Sequence, residues 1–78
     1  MNEIKSFLFQ AVEQPHPNTT YIWNWEIKLA KDKEGNYLGS AQEALRPHSH
    51  THGWVDTKTD DLQAALEHMK SVCERMTR

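Results

Sequence analysis

The segment Arg46-Pro47-His48-Ser49-His50-Thr51-His52-Gly53-Trp54 gathers the side chains with the widest chemical reach in this chain. Imidazole changes charge close to neutral pH and is also a frequent ligand of divalent metals. In an extended backbone, alternation sets His48, His50 and His52 on one face, with neighbouring Cα atoms of the set roughly 6 to 7 Å apart. A His-x-His pair on a strand presents two ring nitrogens to one ion, and a third ligand would come from His52, Glu43 or Asp56. The metal reading is therefore a zinc or nickel site on His48, His50 and His52. Three imidazoles on a straight strand diverge, so convergence needs a bend, which a bulge at Gly53 would supply. With no metal at all, protonating the five histidines in mild acid moves the formal charge from -2 towards +3.

Alternation also places Trp54 with these histidines. An aromatic ring beside imidazoles and the Arg46 guanidinium is the composition of a protein-binding patch. Trp23 and Trp25 share a face with Tyr21 and could stack on bases, but in a chain so short of aliphatics they read as core. Nucleophilic catalysis finds no constellation. Cys73 falls on an apolar helical stripe where burial makes a thiol inert. Ser49 and Thr51 sit next to histidines in sequence, which in a strand sends the side chains to opposite faces. The glycines, Gly35, Gly39 and Gly53, are too dispersed to cradle a phosphate. Glu26, Glu43 and Asp56 form an acid-base pair only if the fold brings them together. The expectation is a chain that is not an enzyme.

Four segments must position these residues. Ile4, Phe7, Leu8, Ala11 and Val12 fall at the spacing of one helical face, and the pattern predicts a helix over 3–13 that Pro15 and Pro17 close. Phe7, Phe9 and Ala11 also alternate, as a strand's residues would. From Thr20 to Ala30 the period is two, with Tyr21, Trp23, Trp25, Ile27 and Leu29 on one face and Thr20, Asn24, Glu26 and Lys28 on the other. Gly35 and Asn36 tolerate the backbone of a hairpin loop, so a second strand is expected over 37–45. A third is expected over 48–57, at an edge because Pro47 cannot donate to a ladder. Leu62, Ala65, Leu66, Met69, Val72, Cys73 and Met76 trace the stripe of a C-terminal helix, with Asp60 as its cap and Gln63 completing a capping box. The assembled expectation is an α+β, two-layer αβββα sandwich: a three-stranded antiparallel meander under a long C-terminal helix and a shorter N-terminal one.

Composition bounds the rest. The 78 residues permit one small domain, 1–78. Val, Ile, Leu and Phe number only 14, just under the roughly 20% that accompanies disorder. The near balance of 9 basic and 11 acidic side chains opposes disorder, and three Trp, two Tyr and three Met add apolar area. A charge of -2 also opposes a nucleic-acid binder that works by phosphate neutralisation. No apolar run approaches a membrane span, and Glu3, Lys5 and Ser6 break the stretch that a signal peptide needs, so no membrane partner is expected. One cysteine, Cys73, allows no internal disulfide, which fits a cytoplasmic protein.

The expected order of elements resembles that of a double-stranded RNA-binding domain, which also runs helix, three strands, helix. That family meets phosphate with a basic cluster at the start of its last helix. Here Thr57-Lys58-Thr59-Asp60-Asp61 is acidic on balance, so the resemblance carries no RNA-contacting residue across. Small, motif-free, near-neutral chains are typical of adaptors and of inhibitors carried by phages and other mobile elements. The leading expectation is a non-enzymatic module binding a protein partner through an open sheet face and the His-rich edge, with Glu26, Lys28, Arg46, His48, His50, His52 and Trp54 as contacts. Metal binding by His48, His50 and His52, and nucleic-acid binding through Trp54, Arg46 and Lys58, are the alternatives. A homodimer would add buried area to a thin core.

Overall fold

The computed structural model describes residues 3–45 and 50–77. Four strands and one helix follow in order: β1 (Ile4–His16), β2 (Thr19–Lys31), β3 (Tyr37–Glu43), β4 (Thr51–Asp56) and α1 (Leu62–Thr77). All neighbours pair antiparallel in the order β1-β2-β3-β4, a meander in which every connection is local. Helix α1 lies across β3, β2 and β1. The expected three-stranded αβββα sandwich is thus corrected to a ββββα fold with a single helix, and the topological likeness to a double-stranded RNA-binding domain goes with it.

The correction turns on residues 3–13, which form a strand. Their helical stripe competed with an alternation that the neighbouring chain could satisfy. Phe7 pairs with Ile27, Phe9 with Trp25 and Ala11 with Trp23, so the aromatic and branched side chains meet across the ladder. A tight turn at Pro17 and Asn18 keeps this pairing local, and the register is continuous from Ile4↔Ala30 to Glu13↔Tyr21 before an irregularity leads to His16↔Thr19. Pro15 ends no helix; it lies near the end of an edge strand, where a missing N–H is tolerated.

Strand β2 carries the core. Trp25, Ile27 and Leu29 are fully buried and Trp23 nearly so, facing Ala65, Met69, Val72 and Cys73 of α1. The two Trp rings stack at 6.0 Å, nearly parallel at 9°. Trp25 Nε1 donates to Thr77 Oγ1 at 3.0 Å, and that hydroxyl donates to Cys73 O at 2.8 Å, which fastens the end of the helix over the ring. The helix start is capped one residue later than the sequence suggests. Asp61, not Asp60, accepts from Ala64 N at 2.8 Å, while Gln63 bonds sideways to Glu67. The β2–β3 loop follows expectation: Asp32 Oδ1 accepts from the N–H groups of Glu34 and Asn36, and Gly35 takes φ 87°.

Strand β3 ends at Glu43 rather than Leu45, and β4 begins at Thr51. The expected strand residues His48 and Ser49, with Arg46 and Pro47 before them, lie outside the described residues. Beyond β4, Thr57 and Thr59 tie the connection back to Tyr37 through Thr57 N→Tyr37 O (3.0 Å), Thr57 Oγ1→Tyr37 O (2.8 Å) and Tyr37 N→Thr59 O (2.9 Å). The helix comes close to the sheet at Gly39, where a Cβ would stand 2.5 Å from Met69 Sδ and 3.2 Å from Leu29 Cδ2. Gly39→Ala must displace a fully buried methionine, and it is expected to cost about 1–3 kcal/mol, read as a fall in the thermal midpoint by circular dichroism.

Candidate functional site

One helix covers one face of the sheet, and among the described residues the opposite face carries no second layer. Its residues are the even-numbered set of β1 and β2. Leu8 (85% exposed), Val12 (65%) and Ile22 (54%) form an apolar row towards the hairpin end, with Val12 paired directly to Ile22. Gln10 Nε2 donates to Asn24 Oδ1 at 2.9 Å in the middle. The hairpin also outruns its cover. Thirteen residues of strand reach roughly 43 Å, whereas sixteen of helix span about 24 Å, so Tyr21 lies beyond the helix and is half exposed. Tyr21 alternates with Trp23 as the sequence suggests but is not core for this reason.

Towards β4 the same face holds a shallow hollow of about 320 Å³ lined by Glu26, Lys28, Ser40, Gln42, His52 and Trp54, among others. Lys28 Nζ lies 3.8 Å from Glu26 Oε1, with both side chains 42% exposed. An ion pair this open contributes little to stability, so both groups remain available to a partner. The ring of Trp54 is 41% exposed.

The structure places the expected contact residues in three groups. Glu26, Lys28, His52 and Trp54 share the hollow. His50 lies elsewhere, its ring edge-on to Trp23 at 4.8 Å between centroids. Arg46 and His48 fall outside the described residues. What separates Trp54 from His50 is a bulge. Pairing runs Gly39↔Val55 and then Ala41↔His52, so Gly53 and Trp54 together oppose Ser40. One extra residue reverses the alternation, so Trp54 stands with Glu26 and Lys28 and away from His50. His52 Nδ1 lies 2.9 Å from Gly53 O. Among the described residues, no group of three His, Cys, Asp or Glu side chains is placed to hold a metal ion.

The titratable groups inside the protein serve structure. Glu43 is fully buried and accepts from Asn24 N at 3.0 Å and Leu45 N at 2.8 Å, clasping the end of β3 to β2. It faces neither Glu26 nor Asp56 as an acid-base partner in these bonds. Burial pushes the Cys73 thiol up to about 12, with the Glu74 charge adding to the rise. The sequence missed two things here. Glu43 had no signal as a buried clasp, because its partners are backbone amides. Leu8 and Val12 were assigned to a buried helical stripe, although their alternation with Phe7, Phe9 and Ala11 carried the alternative.

No helix among the described residues is long and apolar enough to cross a membrane. Comparison of the chain with protein-family models, with curated proteins and with solved structures finds no match.

Two outcomes follow from the buried groups. Glu43→Ala leaves two backbone N–H groups without their side-chain acceptor and is expected to cost about 2–4 kcal/mol in urea unfolding. Cys73 is expected to resist a thiol reagent at pH 8 in the folded protein and to react fully in denaturant; rapid labelling of the folded chain would contradict the inert assignment.

Proposed function

We propose that this chain is a small, non-enzymatic protein-interaction module of the adaptor or inhibitor type, which takes a protein partner on the open face of its sheet. The observation that carries the reading is the bare face itself. Large apolar side chains stand exposed there, Leu8, Val12, Ile22 and Trp54, beside the loosely paired Glu26 and Lys28. Large exposed apolar side chains interleaved with polar groups on one face have the mixed make-up of an interaction surface. Trp54 is the anchor, because a half-exposed ring over a hollow offers the largest area that a partner can still bury. Glu26 and Lys28 set charge complementarity at its rim, and His52 adjoins them. Arg46 and His48 belong to the neighbouring edge segment by sequence and extend the contact set, whereas His50 is engaged with Trp23.

The partner fitted by this face presents its own apolar side chains with mixed charge around them, since the surface offers both signs and no net bias. The test is affinity purification from the native host with the wild-type chain and with the E26K/W54A double variant, followed by calorimetry on the purified partner. A protein enriched by the wild type and lost by the variant, with affinity reduced at least roughly tenfold, supports the reading. Equal capture by both removes this surface from consideration.

A further inference from the structure

The two edges of the sheet are unlike. Strand β4 is six residues long and interrupted by the bulge at Gly53, both of which discourage pairing with another chain. Strand β1 is thirteen residues long, and residues 6–12, Ser-Phe-Leu-Phe-Gln-Ala-Val, contain no charge, no proline and no glycine. A long, flat, apolar edge of this kind is a template for another strand. Only its two flanks carry charge within the regular ladder, Lys5 before the stretch and Glu13 after it.

From this edge we infer that a second copy of the chain pairs antiparallel along β1, about a two-fold axis through Phe9, and makes one continuous eight-stranded sheet. The charges choose the register. For the faces of the two sheets to match, opposed residue numbers must sum to an even value, because side chains directly opposite in an antiparallel pair point the same way. Centring on Phe9 sets Lys5 of each copy opposite Glu13 of the other, two opposite-charge pairs related by the symmetry. Centring on Leu8 would oppose Glu3 to Glu13, and centring on Gln10 would oppose Lys5 to Pro15. The Phe9 register also fits by size. It sets Phe7 of each copy against Ala11 of the other, where a hollow of about 260 Å³ lies between Phe9–Val12 and Glu74 and Thr77 of the helix end. On the bare face it brings Leu8 diagonal to Val12 of the second copy, joining the two apolar rows into one strip. Both helices then lie on the same side of the joined sheet. The inference goes beyond the partner-binding reading and uses different residues, so each fails independently of the other.

The test uses charge reversal and mixing, read by sedimentation equilibrium, with circular dichroism to show that each variant is folded. The wild type is expected to be a dimer at about 100 µM, the range where a modest interface is populated. K5E sets two carboxylates against each other in both symmetry-related pairs, and E13K sets two ammonium groups there, so each variant alone is expected to dissociate roughly tenfold or more readily. An equimolar mixture of the two must regain the dimer, since every pair is then opposite in sign, and the K5E/E13K double variant must regain it alone. Recovery in the mixture cannot come from a merely structural role of either residue, including the Glu13 acceptor for Trp23 Nε1. A monomeric wild type, a filament, single variants that dimerise like the wild type, or a mixture that stays monomeric would each overturn the inference.

Discussion

Among the described residues one helix is the whole cover of this sheet, and the rest of the molecule is arranged around that constraint. A chain with 14 Val, Ile, Leu and Phe residues cannot fill two apolar layers, so its large side chains are concentrated on a single interface. Trp23, Trp25, Ile27 and Leu29 supply the sheet side, and Ala65, Met69, Val72 and Cys73 the helix side. The fit depends on size alternation: Gly39 and Ala41 on β3 leave room for Met69 and let the helix approach, while the Trp residues of β2 fill the space beside it. The helix end is held to Trp25 by the Thr77 hydroxyl, which satisfies the buried indole N–H that would otherwise oppose burial of the ring.

One-sided cover leaves a bare face and a long edge by necessity. The residues there are not a uniform solvated surface. Leu8, Val12, Ile22 and Trp54 remain exposed although a fold of this size has few large apolar groups in reserve. The polar members of the face are tied loosely to one another, Gln10 to Asn24 and Lys28 to Glu26. Such contacts exchange readily for contacts with another chain, whereas those under the helix do not.

Several residues that look chemical in the sequence are structural in the fold. Glu43 holds two backbone amides, Cys73 lies on the buried face of the helix with its thiol held protonated, and His50 packs edge-on against Trp23. The histidine pattern implies one face shared with Trp54, and a single inserted residue at Gly53–Trp54 sets Trp54 apart from His50, while His52 adjoins it in the hollow. Spacing of two specifies a face only while the ladder is regular, and bulges are set by pairing with β3 rather than by the bulged strand alone.

Elements with one unambiguous period were legible from the residues alone. Strand β2, the Gly35 hairpin loop and helix α1 were legible because their apolar residues fit a single template and their loops and caps use local bonds. The composition also determined that the core would be aromatic. Tertiary structure decided the identity of β1, since its residues satisfy both a helical stripe and a strand alternation, and only pairing with Ile27, Trp25 and Trp23 separates the two. It decided that Glu43 is buried and that Trp54 shares the hollow with Glu26 and Lys28. Each of these depends on how the chain packs and pairs in three dimensions, and periodicity records only where a residue's own backbone points it.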